Sequence, residues 1–187
     1  AAEQHQRARA AAVRHHHAVA EQETAKEQHR RRESGLQIDR FAEIDEAGRP
    51  GPSRVVMEGQ EHLSYPFVFE RGGELYMLPE THRRRTIELY RCTRFPDEWR
   101  RERVLLRGVE AVDPTLHEEG GRLYLFFAAR RGGGDFDDLH IYHAAELHEE
   151  FQPISGDPVK SDVRSSRPAG RLFRDGGRLY RPAQVGA

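Results

Sequence analysis

Cysteine is almost absent from this 187-residue chain: Cys92 stands alone, which excludes an internal disulfide framework. It falls on a predicted outer strand and reads as an ordinary buried structural residue. Long apolar runs are missing too, and nothing approaches the roughly 20 residues needed to span a bilayer as a helix. Net charge is nearly zero, with 30 basic against 31 acidic side chains, so no global basic field argues for nucleic acid. The first 30 residues hold no apolar h-region. No signal peptide is expected, and the chain is expected to be soluble and cytoplasmic.

Residues 1–33 are also poor in branched apolar side chains, with Val13 and Val19 the only two. Such a segment cannot build a packed core and is expected to be a low-complexity tail, disordered or marginally helical, outside the fold. His15-His16-His17 lacks a carboxylate or cysteine at ligand spacing, so no metal and no cofactor is expected. Arg30-Arg31-Arg32 reads as a solvated charge run.

What the chain does contain is a repeat. Three segments run from a residue before proline, through an apolar strand and a Gly-Gly turn, into a second apolar strand. They are Tyr65-Pro66 to Gly72-Gly73-Glu74-Leu75-Tyr76, Asp113-Pro114 to Gly120-Gly121-Arg122-Leu123-Tyr124, and Arg167-Pro168 to Gly176-Gly177-Arg178-Leu179-Tyr180. Pro66 to Pro114 is 48 residues and Pro114 to Pro168 is 54. Short strands repeated at this period are the signature of propeller blades. Between them a second repeat alternates apolar and polar residues, Ile87–Cys92 and Leu139–Ala144, as a half-buried strand does. Each blade is therefore an inner hairpin, an outer strand and an edge strand such as Arg103–Leu106. A degenerate outer strand, Leu36–Phe41, has Val55–Met57 as its edge partner.

In a propeller the inner strands line a central channel. Tyr65, Asp113 and Arg167 precede the three prolines at inner-strand starts, where proline is expected to hold them extended. Charges gather there only if a ligand or a partner charge offsets their desolvation. Glu80 lies seven residues past Gly73, and Gln184 seven past Gly177, at the same end of their hairpins. With His62, Asp162 and Arg164 these residues form a candidate site at one channel mouth. Asp113 and Glu80 are the candidate acid/base pair for a glycosidic bond, with Asp162 orienting or tuning them. His62, Tyr65, Arg164, Arg167 and Gln184 are the candidate ligand-binding residues for sugar hydroxyls or a phosphate. The structural alternatives are that Asp113 starts a turn and that Asp162 and Arg164 pair with each other.

The strings His62-Leu63-Ser64-Tyr65-Pro66, Tyr76-Met77-Leu78-Pro79-Glu80-Thr81, Val112-Asp113-Pro114-Thr115-Leu116 and Tyr180-Arg181-Pro182-Ala183-Gln184 carry a family resemblance. So do Leu89-Tyr90-Arg91 with Phe95-Pro96 and Trp99, and Ser161-Asp162-Val163-Arg164 with Arg167-Pro168-Ala169-Gly170. Residues 34–187 resemble the N-terminal propeller domain of plant glucosamine inositolphosphorylceramide transferases and their bacterial relatives. That domain is similar in turn to the five-bladed propellers of family 43 and family 32 glycoside hydrolases. The resemblance implies an all-β partial five-bladed propeller, about two complete blades plus parts of two more. The family's first blade opens with an Asp-Pro strand that supplies the catalytic base in the related hydrolases, and residues 1–33 do not match it. The expected function is glycosyl processing, hydrolysis or transfer, in the full-length protein, with this chain alone inactive. The alternatives are a non-catalytic glycan or sugar-nucleotide recognition module serving a fused or partner transferase domain, and an inactive gene fragment.

Overall fold

The computed structural model describes residues 37–130 and 135–185. The expected tail, with its histidine and arginine runs, lies outside the described residues. The described elements are strands, joined by a single 3-10 turn at His82–Arg84. No helix among them is long and apolar enough to cross a membrane.

Strands β1 (Gln37–Phe41) and β2 (Arg54–Gly59) pair antiparallel where the degenerate outer strand and its edge were expected. Strands β3 (Ser64–Arg71), β4 (Glu74–Glu80), β5 (Thr86–Arg94) and β6 (Glu98–Arg107) form one sheet in sequence order. This is the expected succession of inner hairpin, outer strand and edge. The next sheet repeats it with β7 (Ala111–Glu119), β8 (Arg122–Ala129) and β9 (Asp138–Ala144). Its edge is divided between β10 (Gln152–Pro153) and β11 (Lys160–Ser161), which both pair with β9. Strands β12 (Phe173–Asp175) and β13 (Arg178–Tyr180) make the third hairpin. The hairpins β3–β4, β7–β8 and β12–β13 each turn on two glycines with positive φ, for example 61° and 80° at Gly72 and Gly73. Two successive positive φ values match the strand twist of a tight hairpin, and only glycine takes them without strain.

Strand β4 is buried on both faces from Leu75 to Glu80, which explains its nearly continuous apolar sequence. Tyr76 and Leu78 face the large core between the two main sheets, shared with Leu116, Leu125 and Phe127. Met77 points the other way, into a smaller cluster with Met57 and Leu63. The sheets thus stack in chain order, with β7 against β3 and β4 of the preceding sheet. The third hairpin is less covered: Phe173 is 53% exposed, and Phe173 and Tyr180 stack with ring centroids 5.5 Å apart.

The prolines behave differently from expectation. Tyr65 has φ 46° and Asp113 φ 54°, so neither is extended. Register supplies the reason. Pairing jumps from Ser64↔Glu80 to Phe67↔Leu78, and from Val112↔Ala128 to Thr115↔Phe126. Each inner strand carries one extra residue, a bulge placed where proline has no N–H to give the ladder. The bulge turns the residue before proline into the left-handed region, which aspartate tolerates better than tyrosine.

Burial separates the core from the third hairpin in a measurable way. Phe127, 1% exposed, lies among both main sheets, and Phe127→Ala is expected to cost about 3–5 kcal/mol. Phe173→Ala is expected to cost less than about 1 kcal/mol. Urea unfolding of both variants checks this; comparable losses would show that the third hairpin is as much a part of the core as the main sheets.

Candidate functional site

The site forms at the end of the inner hairpins opposite the Gly-Gly turns. Glu80 closes β4 on the same face as Tyr76 and Leu78, so its carboxylate points toward β7. There the bulge at Asp113–Pro114 interrupts the β7–β8 ladder, and the Asp113 N–H donates to Glu80 Oε2 at 3.1 Å. The other Glu80 oxygen, Oε1, lies 2.9 Å from His62 Nε2 and 3.0 Å from His82 Nδ1. His62 Nε2 also lies 2.7 Å from Ser64 Oγ. Burial alone would raise the Glu80 pKa; hydrogen bonds from His62, the Asp113 N–H and His82 outweigh it and hold the carboxyl below its usual range.

Asp113 is 3% exposed. Its Oδ2 accepts from Arg167 Nε and from Gln184 Nε2, both at 2.8 Å. Arg167 and Gln184 are themselves joined, since the Gln184 N–H donates to the Arg167 carbonyl at 3.1 Å. The third hairpin's flanks thereby reach the second sheet. Burial pushes Asp113 up to about 6, against the Arg167 guanidinium, which favours the charged form, and with the Glu80 carboxylate, which opposes it. Two neighbouring carboxylates therefore sit in contrasting environments, one with its proton affinity raised and one with it lowered.

Tyr65 occupies the equivalent bulge on β3. Its hydroxyl lies 3.0 Å from Thr115 Oγ1, which donates to the Asp113 carbonyl at 3.2 Å. Burial raises the Tyr65 hydroxyl pKa. The two bulges are thus tied across the sheets through Thr115, which is fully buried.

The structure therefore gathers His62, Tyr65, Glu80, Asp113, Arg167 and Gln184. It does not bring Asp162 and Arg164 into this cluster. Asp162 Oδ1 accepts from the backbone N–H and the Nε of Arg164, at 3.0 and 3.1 Å, and Oδ2 accepts from Ser165 Oγ at 3.0 Å. Those local bonds hold the Asp162 carboxyl far below its ordinary value. The pair shapes the loop that leads to Arg167, the arrangement given above as their structural alternative. Two contributors went unread in the sequence, His82 and Thr115. Each lies two residues beyond a carboxylate that was read, Glu80 and Asp113, and that spacing was the available signal.

This stack of antiparallel sheets resembles part of the propeller fold of glycoside hydrolase 43 proteins. It is similar to the GH43_1 enzyme from Xanthomonas citri, at 18% identity, over 65% of this chain and 39% of that one, with TM-score 0.50. It is also similar to the GH43 protein BlXynB (K247S mutant) from Bacillus licheniformis, at 17% identity, over 72% of this chain and 30% of that one, with TM-score 0.50. At such identities the likeness concerns the fold alone. The chain belongs to the family described as glucosamine inositolphosphorylceramide transferase 1, N-terminal, which matches residues 44–187. Glucosamine inositolphosphorylceramide transferase 1 of Arabidopsis thaliana is 32% identical over 148 residues, 75% of this chain and 19% of the relative. Its counterpart in Oryza sativa subsp. japonica is 34% identical over 134 residues, 70% of this chain and 18% of the relative. The chain thus spans about a fifth of the length of these curated relatives.

The Asp113–Arg167 contact predicts strong coupling. Arg167→Met leaves a buried carboxylate without its cation and is expected to destabilise by about 3 kcal/mol. In an Asp113→Asn background the same change is expected to cost at least about 1 kcal/mol less. Denaturant unfolding of the two single variants and the double variant measures the difference, and strictly additive losses would mean the pair does not interact.

Proposed function

We propose that this chain supplies the sugar-recognising wall of a glycosyl-transferring protein. The observation that carries the reading is Asp113, a buried carboxylate on a left-handed bulge, gripped by Arg167 and Gln184 and tied by its own N–H to Glu80. Charged groups placed on a strained backbone in this way cost stability, and such positions concentrate at ligand sites. The flanking arginine, glutamine, histidine and tyrosine groups suit a hydroxyl-rich ring. The relatives' name points to glucosamine and to an inositol bearing a phosphodiester, and Arg167 suits the phosphate.

A second reading, in which Asp113 and Glu80 act directly on a glycosidic bond, is favoured by their linkage through a single backbone N–H and their opposite environments. The two readings divide on one comparison in the whole protein that carries this chain. Ligand affinity for glucosamine and for inositol phosphate is measured together with glycosyl transfer, for the native protein, for Asp113→Asn, and for Arg174→Ala on the distant turn-end surface. Recognition predicts that Asp113→Asn weakens binding about tenfold or more, with transfer falling in proportion. Direct catalysis predicts retained affinity with transfer reduced roughly 10²- to 10⁴-fold. Arg174→Ala is expected to change neither. Unchanged affinity and transfer in Asp113→Asn would sink both readings.

A further inference from the structure

The most unusual group at this mouth is the trio His62, Glu80 and His82, and its geometry has a use that sugar binding does not require. Both imidazole nitrogens are aimed at one carboxylate oxygen, His62 Nε2 at 2.9 Å and His82 Nδ1 at 3.0 Å from Glu80 Oε1. The three ligand atoms all lie within 4.8 Å of one another. We infer that these three side chains form a binding site for a divalent transition-metal ion of the zinc type.

The local backbone explains how three residues from one hairpin end converge. Ser64 pairs with Glu80 across β3 and β4, so His62, two residues before Ser64, arrives beside Glu80. His82 lies two residues after Glu80 and starts the 3-10 turn. Thr81, 1% exposed, anchors that turn by donating its hydroxyl to the Thr86 carbonyl at 2.7 Å. The two rings meet at 54° with centroids 4.7 Å apart, which directs their nitrogens to a common point instead of stacking the faces.

Two of the three donor–donor edges lie close to those an ion requires. A tetrahedral zinc centre with nitrogen and oxygen donors at about 2.0–2.1 Å has donor–donor edges of about 3.3 Å. The two short edges here need open by only a few tenths of an ångström, a small side-chain rotation. Burial is graded as a site with access from solvent requires: the Glu80 side chain is 6% exposed, those of His82 and His62 20% and 32%. Support from behind is present as well. Glu80 Oε2 is fixed by the Asp113 N–H at 3.1 Å, and the Phe136 and His82 rings meet at 71° with centroids 5.8 Å apart. Such outer contacts orient the ligands of a metal site. Ser64 Oγ, 2.7 Å from His62 Nε2, turns aside when that nitrogen takes a cation.

Donor chemistry selects the ion. Two imidazoles and one carboxylate suit zinc and its first-row neighbours, whereas calcium and magnesium prefer shells of oxygen. Three protein ligands leave a fourth position for water or for an oxygen of a bound molecule. The inference does not rest on the sugar-recognition reading, because metal binding is measured without any sugar.

The test uses the full chain with His15, His16 and His17 replaced by alanine, so that the histidine run cannot contribute. Cobalt(II) is titrated and its visible d–d absorption followed, then displaced with zinc(II). One equivalent of cobalt with the intense bands of a four-coordinate ion is expected. His62→Ala and His82→Ala are each expected to weaken binding by at least the 10- to 100-fold typical of disturbing a metal's supporting shell. Glu61→Ala, an exposed neighbour paired with Arg84, is expected to leave binding unchanged. Absence of stoichiometric cobalt or zinc binding in the triple-alanine chain would overturn the site, as would equal affinity after His82→Ala. Should an alanine variant fail to fold, Glu80→Gln and the cobalt spectrum of the triple-alanine chain still decide. A negative result here has no bearing on the sugar affinities that test the recognition reading, so the two ideas fail separately.

Discussion

A proline inside a paired strand has no N–H to donate, and the architecture of this mouth follows from that constraint. At Pro66 and at Pro114 the inner strand admits an extra residue, and the residue before the proline swings into the left-handed region. The swing takes the Asp113 N–H out of the ladder and aims it at the preceding sheet. Glu80 receives it there. Remove the bulge and the N–H returns to its own ladder, Glu80 loses a donor, and the two sheets lose one of their polar contacts.

Buried carboxylates in this fold meet different fates. Glu88, 2% exposed, is surrounded by Arg84, Arg101, Tyr90 and Thr86, all within β5, β6 and the adjoining turn. Its partners come from one sheet, and the cluster closes on itself as a structural network would. Asp113 and Glu80 draw partners from the segment before β3, from the turn after β4, from each other across β4 and β7, and from the flanks of the third hairpin. A polar network that crosses sheets depends on how those sheets stack. The same feature makes it costly, since no single sheet holds it together.

Much of this was legible in the chain. The Gly-Gly pairs announced positive φ and therefore tight hairpins, and the alternation in Ile87–Cys92 and Leu139–Ala144 announced the outer strands. Matching positions counted from the turns drew Glu80 and Gln184 to the end of the hairpins where Asp113 lies. What could not be read was conformation at a single residue. The general rule that proline holds its predecessor extended speaks of local sterics, whereas at Tyr65 and Asp113 ladder registry overrides it. Asp162 and Arg164 shared the charge and the neighbourhood of the cluster, yet the Arg164 N–H and the Ser165 hydroxyl, two and three residues away, satisfied Asp162 first.

The sequence by itself determined the strands, their turns, their order and the family, because these depend on period, glycine placement and residue strings that local physics reads directly. Only the tertiary structure decided which charges meet. That His82 joins His62 on one oxygen of Glu80 depends on the bulged register at one hairpin end, and that Arg167 and Gln184 converge on one oxygen of Asp113 depends on packing across 54 and 71 residues of chain. The repeat placed Asp113 and Arg167 at matching positions of successive hairpins, but only packing turns that correspondence into contact. The contacts exist because stacking buries the apolar faces, and the polar ends must then find partners wherever the packed strands leave them.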